Sequence, residues 1–148
     1  MTKTIKWGIA GLGNIARKFA EDLKRVAQAE LVGVASTNRG RALAFQKEFN
    51  GQKAYGNYED LYRDPKIQVI YIASLNQNHK DMTMAALEAG KGVLCEKPLG
   101  LNTEEIRAMI ALAQKQNCFL MEALWSRFNP AIQKAKQWIT AGQIGDPK

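Results

Sequence analysis

Three short stretches have residue types and spacings suited to chemistry. In IKWGIAGLGNIARKF (5–19), Gly11, Gly13 and Ala16 form a G-x-G-x-x-A pattern. The first glycine lets a chain turn sharply out of a strand and the second lets the backbone approach a pyrophosphate. The small third residue lets the following helix pack close to the strand. A diphosphate would rest on the unpaired N–H groups at the helix start, at Asn14, Ile15 and Ala16, where the dipole is positive. The second stretch, Glu96-Lys97-Pro98, closes an apolar run with a charged pair. A lysine beside a bound cofactor can give a proton to a substrate oxygen or take one, given desolvation and nearby positive charge to lower its pKa. From spacing alone, a surface lysine opening a loop accounts for Lys97 equally well. The third stretch is Ser74-Leu75-Asn76-Gln77-Asn78-His79. His79 there fits a structural hydrogen bond at a helix N-terminus better than a chemical role.

The elements that must position these residues follow from hydrophobic spacing. Ile5–Ala10 reads as a strand, and 14–26 as a helix with Ile15, Phe19, Leu23 and Val26 on one face beside Ala16 and Ala20. A second strand (LVGVA, 31–35) leads through a polar turn, 36–40, into a helix over 41–49. Residues 54–55 suggest a short third strand, and Asn57 an N-cap for a helix over 58–63 that Pro65 stops. VIYIA (69–73) has the length and continuity of a strand covered on both faces. A helix over 78–89 then ends at Gly90. GVLCE (92–96) is the fifth strand. Asn102 and Glu105 resemble a capping pair for a helix carrying Ile106, Met109, Ile110 and Ala113. FLMEA (119–123) is the sixth strand, and a last helix runs from Pro130, after Asn129, to near Gly142. Strand and helix alternate throughout, which predicts an α/β fold: a doubly wound parallel sheet of Rossmann type.

In that setting the three stretches fall at the C-terminal edge of one sheet, where ligands bind. The turn after the second strand reads the adenosine end. An NAD site usually has an acid there to accept from the ribose hydroxyls, but Ser36, Thr37, Asn38, Arg39, Gly40 and Arg41 include none before Glu48. Hydroxyls, an amide and guanidinium forks suit a 2′-phosphate, which predicts NADP(H) in preference to NAD(H). An ordinary polar turn with solvated arginines is the alternative, as a ligand-free tight turn is for the glycines. No G-K-[ST] follows those glycines, so a P-loop is excluded.

Composition narrows the classes further. The 148 residues fit one domain with a real core, and 46% apolar with 24% charged residues is ordinary for a globular protein. No apolar run is long enough to span a bilayer, and MTKTIKW lacks the apolar region of a signal peptide. Cys95 and Cys118 have no CxxC spacing, and with a single histidine no zinc cluster is expected. Both cysteines fall in predicted strands and read as reduced core residues of a cytoplasmic protein. The net charge of +7 is dispersed among acids along helices, so no nucleic-acid surface and no membrane partner are expected. The same charge favours the approach of a polyanionic cofactor.

GIAGLGNIA (8–16), the Asn76-x-x-His79 element, AGKGVLCEKPLG (89–100) and MEALWSRFNP (121–130) resemble the glucose–fructose oxidoreductase/inositol dehydrogenase (Gfo/Idh/MocA) family over essentially the whole chain. CEKP and MEALWSRFNP are most similar to its diol-oxidising members, which use NADP. The resemblance implies a cofactor-binding set of Gly11, Gly13, Asn14, Ile15, Ala16, Ser36, Thr37, Asn38, Arg39, Ser74, Leu75, Asn76, His79, Glu96, Lys97, Trp125 and Arg127. Within it, Asn76 and Glu96 lie near the nicotinamide ribose, and Lys97 beside the hydride-transfer site as the catalytic residue. Pro98 follows a cis bond, and Trp125 and Arg127 match a W-x-R element that contacts the cofactor. Leu75 departs from the family, many members having proline there.

The resemblance also implies a second α/β domain, supplying a catalytic His or Asp, most substrate contacts and the homo-oligomer interface. The sequence stops about where that domain begins, so a C-terminal substrate domain is expected to be absent. The expected organisation is a Rossmann domain over 1–125, then a closing helix and the start of a connection over 126–148. The leading reading is the cofactor half of an oxidoreductase, little active alone. It transfers hydride between nicotinamide and a hydroxyl or carbonyl carbon of a small polyol, sugar, cyclitol or diol. A non-catalytic nucleotide-binding module or truncated remnant is the alternative. FAD or S-adenosylmethionine is a weaker one, since Glu96-Lys97-Pro98 has no role with either.

Overall fold

A computed structural model describes residues 3–145; positions 146–148 of the expected terminal turn lie outside the described residues. Six strands form the sheet: β1 (Ile5–Ala10), β2 (Ala29–Ala35), β3 (Lys53–Tyr55), β4 (Val69–Ile72), β5 (Gly92–Cys95) and β6 (Leu120–Glu122). The helices between them are α1 (Asn14–Leu23), α2 (Arg39–Phe49), α3 (Tyr58–Arg63), α4 (His79–Glu88) and α5 (Thr103–Lys115), and α6 (Pro130–Thr140) follows the last strand. All pairings are parallel, in the order β3-β2-β1-β4-β5-β6. The chain winds outward from β1 to β3, then crosses back to β4 and winds the other way. The crevice between β1 and β4 is therefore the switch point of a Rossmann fold.

Apolar side chains alternate along each central strand and explain the two-sided cover. Ile70 and Ile72 join Leu61, Leu87, Val93, Cys95 and Met109 under α3, α4 and α5. Ile9, Val34 and Tyr71 join Ala16, Ala20, Ala42 and Phe45 under α1 and α2. The caps agree with the sequence: Asn57, Asn102 and Asn129 each accept from a backbone N–H of the helix they open. Gly90 takes a positive φ after α4.

Several boundaries differ from the sequence expectation. The first helix ends at Leu23 rather than Val26, because Arg25 and Val26 make tight bonds to Asp22 and Leu23. Its buried face is Ala16, Ala20 and Leu23, while Ile15 and Val26 are exposed. The helix expected over 41–49 begins at Arg39, capped by Asn38, so the polar turn after β2 is shorter. Cys118 precedes β6 instead of lying in it, and only Cys95 is a core cysteine. The last helix forms as expected but buries no side chain; Ile132, Trp138 and Ile139 are exposed.

Candidate functional site

The two glycines of the β1–α1 turn are glycine for different reasons. Gly11 has φ +89, and a Cβ there would lie 2.7 Å from the Ala73 carbonyl oxygen, so backbone geometry and close approach to β4 both exclude a side chain. Gly13 has ordinary extended dihedrals (φ −86, ψ −168), and a Cβ there would meet nothing within 4 Å. Neither strain nor packing demands glycine at 13. It caps α1 with no side-chain hydrogen bond, and the first turn of that helix carries no acid. The first N–H groups of α1 therefore have no side-chain cap, the arrangement a diphosphate-binding helix start needs. Ala16 is fully buried, which lets α1 lie close on the sheet.

After β2, Ser36 is buried and its Oγ accepts from the Asn38 amide at 3.2 Å, which shapes the turn. Asn38 Oδ1 accepts from Arg41 N at 2.9 Å, leaving the Asn38 side-chain N–H groups as donors. Thr37, Asn38, Arg39 and Arg41 are exposed, and the first turn of α2 also lacks an acid. The stem of Arg39 rests on Gly56, where a Cβ would lie 3.4 Å from it. Glu48, the next acid after the turn, is bound to Arg17 at 2.5 Å on the outer faces of α1 and α2. The turn thus offers donors and positive charge, and among the described residues no carboxylate forms an ion pair with its arginines.

The loops after β4 and β5 are tied to each other. Ser74 is half-buried, and Leu75 and Asn76 are exposed, Asn76 opening a single 3-10 turn, Asn76–Asn78. His79 is fully buried: its Nδ1 lies 2.7 Å from Pro98 O and its Nε2 3.3 Å from Ser74 O. It stitches the two loops together, the structural role its place at a helix start suggested. Lys97-Pro98 is a cis peptide bond. Leu99 N donates to Glu122 Oε1 at 2.8 Å, which fixes the far side of that loop. Glu96 is buried; Oε1 accepts from the Tyr71 hydroxyl at 2.5 Å and Oε2 from Lys97 N at 3.2 Å. Burial, reinforced by the Glu96 carboxylate, pushes the Tyr71 phenol far above its ordinary pKa, so it acts as donor. The Lys97 side chain is exposed. The desolvation expected of it is not supplied by the described residues.

Trp125 and Arg127 lie in a 3-10 turn, Trp125–Phe128, and both are exposed. Trp125, Ile15, Phe19, Tyr71, Glu96 and Met121 line a largely apolar groove of about 540 Å³. Glu96 and Trp125 thus share one surface, whereas His79 and Ser36 are turned inward. Tyr71 escaped the sequence reading because VIYIA looked uniformly apolar. A buried tyrosine needs a partner for its hydroxyl, and that was the available signal. Lys91 and Asp64 were also missed. The Lys91 amine is buried against the carbonyls of Asp64 and Ile67, at 2.7 and 2.8 Å. Both sit at the opposite, N-terminal edge of the sheet.

Comparison with known proteins agrees with the Rossmann fold. Residues 5–124 match the family model described as an oxidoreductase family with an NAD-binding Rossmann fold. The chain is 45% identical over 144 residues to the trans-1,2-dihydrobenzene-1,2-diol dehydrogenase of Mus musculus, covering 96% of this chain and 43% of that protein. It is 41% identical to the Homo sapiens enzyme of that name, with the same coverage. Scyllo-inositol dehydrogenase from Lactobacillus casei, solved with NAD(H) and scyllo-inositol, superposes with TM-score 0.90 at 29% identity, over 97% of this chain and 43% of that one. A 3-ketoreductase from Actinomadura kijaniata, solved with TDP-benzene and NADP, gives TM-score 0.91 at 27% identity, over 97% and 45%. The chain therefore spans less than half the length of these relatives. Among its described residues, no helix is long and apolar enough to cross a membrane.

Proposed function

The chain belongs to the Gfo/Idh/MocA oxidoreductase family, within its NAD-binding Rossmann part, and from that premise we propose that it binds NADP(H) and serves hydride transfer at a hydroxyl- or carbonyl-bearing carbon of a diol, cyclitol or sugar. The observation that supports this most is the gathering of three features at one edge of the sheet. An uncapped, acid-free helix start, a basic acid-free turn after β2, and Glu96 with Lys97 after β5 follow one another there. In this reading the Asn14 and Ile15 amides hold the diphosphate, and Gly13 leaves room for it. Thr37, Asn38 and Arg39 take the 2′-phosphate, Arg39 through its planar fork. Ser74, Leu75 and Asn76 border the nicotinamide half, with Glu96 accepting from its ribose hydroxyls. Ser36 and His79 serve from behind, one shaping the phosphate turn and the other holding the Pro98 loop. Trp125 and Arg127 close the side of the groove.

A bound nicotinamide supplies the hydride donor or acceptor. The contribution of Lys97 is the proton. In oxidation its neutral Nζ takes the hydroxyl proton from the substrate oxygen, and in reduction its ammonium returns one to that oxygen. The proposed organisation is a dinucleotide domain over 1–125, then a closing helix and the start of a connection over 126–148. Mammalian relatives named as dihydrobenzenediol dehydrogenases suggest diols as the first substrates to try.

The test is turnover by the natural polypeptide carrying this sequence, with NADP+ and a panel of diols, cyclitols and sugars, read by formation of reduced nicotinamide. Lys97→Ala is expected to lower kcat by about a hundredfold or more while changing NADPH affinity by less than about twofold. Unchanged turnover in that variant contradicts the role of Lys97. Tight NADPH binding with no turnover on any substrate supports a nucleotide-binding module instead.

A further inference from the structure

Tyr71 is the one polar side chain in the β4 strand, between Ile70 and Ile72, and it is 2% exposed. Its ring stacks on Phe19 (centroids 3.8 Å apart, planes at 20°), and Phe19 meets Trp7 edge-on at 5.4 Å. These contacts leave the phenol little freedom to turn. A residue that only filled this space would serve better as phenylalanine, because a buried hydroxyl costs free energy unless it is bonded. Here the hydroxyl is spent on Glu96, a carboxylate 25 residues away, just past the end of the neighbouring strand β5. The second oxygen of Glu96 accepts from the Lys97 amide, so the carboxylate is held at both ends. An ionised carboxylate has about four acceptor positions, which leaves about two free. Glu96 presents itself to the groove that Trp125 also lines.

We propose that Tyr71 is a positioning residue for the nicotinamide end of the site: through its hydroxyl it fixes the Glu96 carboxylate in the one orientation that offers its free acceptor positions to ribose hydroxyls. The inference rests on the cofactor reading above and adds a residue to it. Tyr71 touches neither ligand nor reacting atoms; it acts through Glu96. A defect at Tyr71 should therefore be felt by a ligand that has a nicotinamide riboside and not by one that lacks it.

The experiment compares two probes, NADPH and 2′,5′-ADP, by calorimetric titration of the natural polypeptide and its Tyr71→Phe variant. The variant keeps the ring and its stack on Phe19. NADPH is expected to bind about tenfold more weakly to Tyr71→Phe, the scale of one hydrogen bond to a charged group, while 2′,5′-ADP binding stays within about twofold. In a Glu96→Gln background, Tyr71→Phe should add little further weakening, because the two residues act as one unit. Equal loss for both probes, no loss for either, or additive effects of the two substitutions would each overturn the proposal. If the unsubstituted protein binds neither probe, the cofactor reading itself fails and this inference falls with it. Should Tyr71→Phe not fold, Phe19→Leu frees the phenol without touching the carboxylate. It is expected to give the same split between probes, smaller in size, and its absence overturns the proposal equally.

Discussion

At the N-terminal edge of the sheet, Lys53 Nζ, the Tyr55 hydroxyl and the Lys66 amide converge on the buried Asp64 carboxylate at 2.5 to 2.9 Å, and Lys91 is spent on two carbonyls. At the C-terminal edge, the helix-start amides of α1 have no capping side chain, and Arg39, Arg41 and Lys97 have no side-chain partner among the described residues. The same strands end in both places, so the sheet does not cause the difference. Charge satisfied within the protein stabilises the fold. Donors left open without a competing acid favour an incoming anion. Substitutions at the first edge should therefore lower stability and spare binding, and those at the second should do the reverse.

The largest expected effect lies at the N-terminal edge. Lys91→Ala takes the amine donor from the carbonyls of Ile67 and Asp64, the latter keeping only the Ile67 amide, at a cost of about 3 kcal/mol in urea unfolding. Cofactor affinity of the folded fraction should be unchanged; a weaker affinity would break the separation of the two edges. Gly13→Val is the converse. A Cβ there would meet no protein atom within 4 Å, so Tm should hold within about two degrees while NADPH affinity falls at least about tenfold by obstruction of the diphosphate cradle. A folded, tight-binding Gly13→Val protein would place the diphosphate elsewhere.

The smallest effect is one of pH. Burial opposes ionisation of Asp64, but hydrogen bonds from Lys53, Tyr55 and the Lys66 amide outweigh it and hold its pKa at about 2. A carboxylate depressed in the folded state stabilises fully above its unfolded pKa of about 4 and loses that contribution as pH falls from about 4 to about 2. Asp64→Asn should therefore flatten the fall of Tm in that window, and an unaltered acid profile would show that Asp64 is not held as described.

Legibility in the sequence divides along similar lines. The β1–α1 glycine turn was readable because its parts are local: Gly11, Gly13 and Ala16 act within one strand-turn-helix, and the apolar runs of β1, β4 and β5 follow from two-sided burial. Asparagine caps at 57 and 102, and the helix start at Pro130 after Asn129, were readable for the same reason. The inner supports of the loops after β4 and β5 were not. Tyr71 reaches Glu96 across 25 residues, and His79 reaches Pro98 across 19, pairings that only strand order creates. The end of α1 was misjudged because Val26 continues the helical spacing, while the chain must already turn to enter β2 at Ala29. Asp64 and Lys91 gave no periodic signal. Their burial depends on loops from separate strands meeting at one edge.

The most direct test of the account is a pair of fluorescence titrations of this chain, with NADPH and with NADH. Open donors at the glycine turn predict that both bind. Thr37, Asn38 and Arg39, with no acid beside them, predict that NADPH binds tighter by about tenfold or more, and that Arg39→Ala removes most of that preference. Equal or tighter binding of NADH would contradict the assignment of the 36–41 turn to a 2′-phosphate.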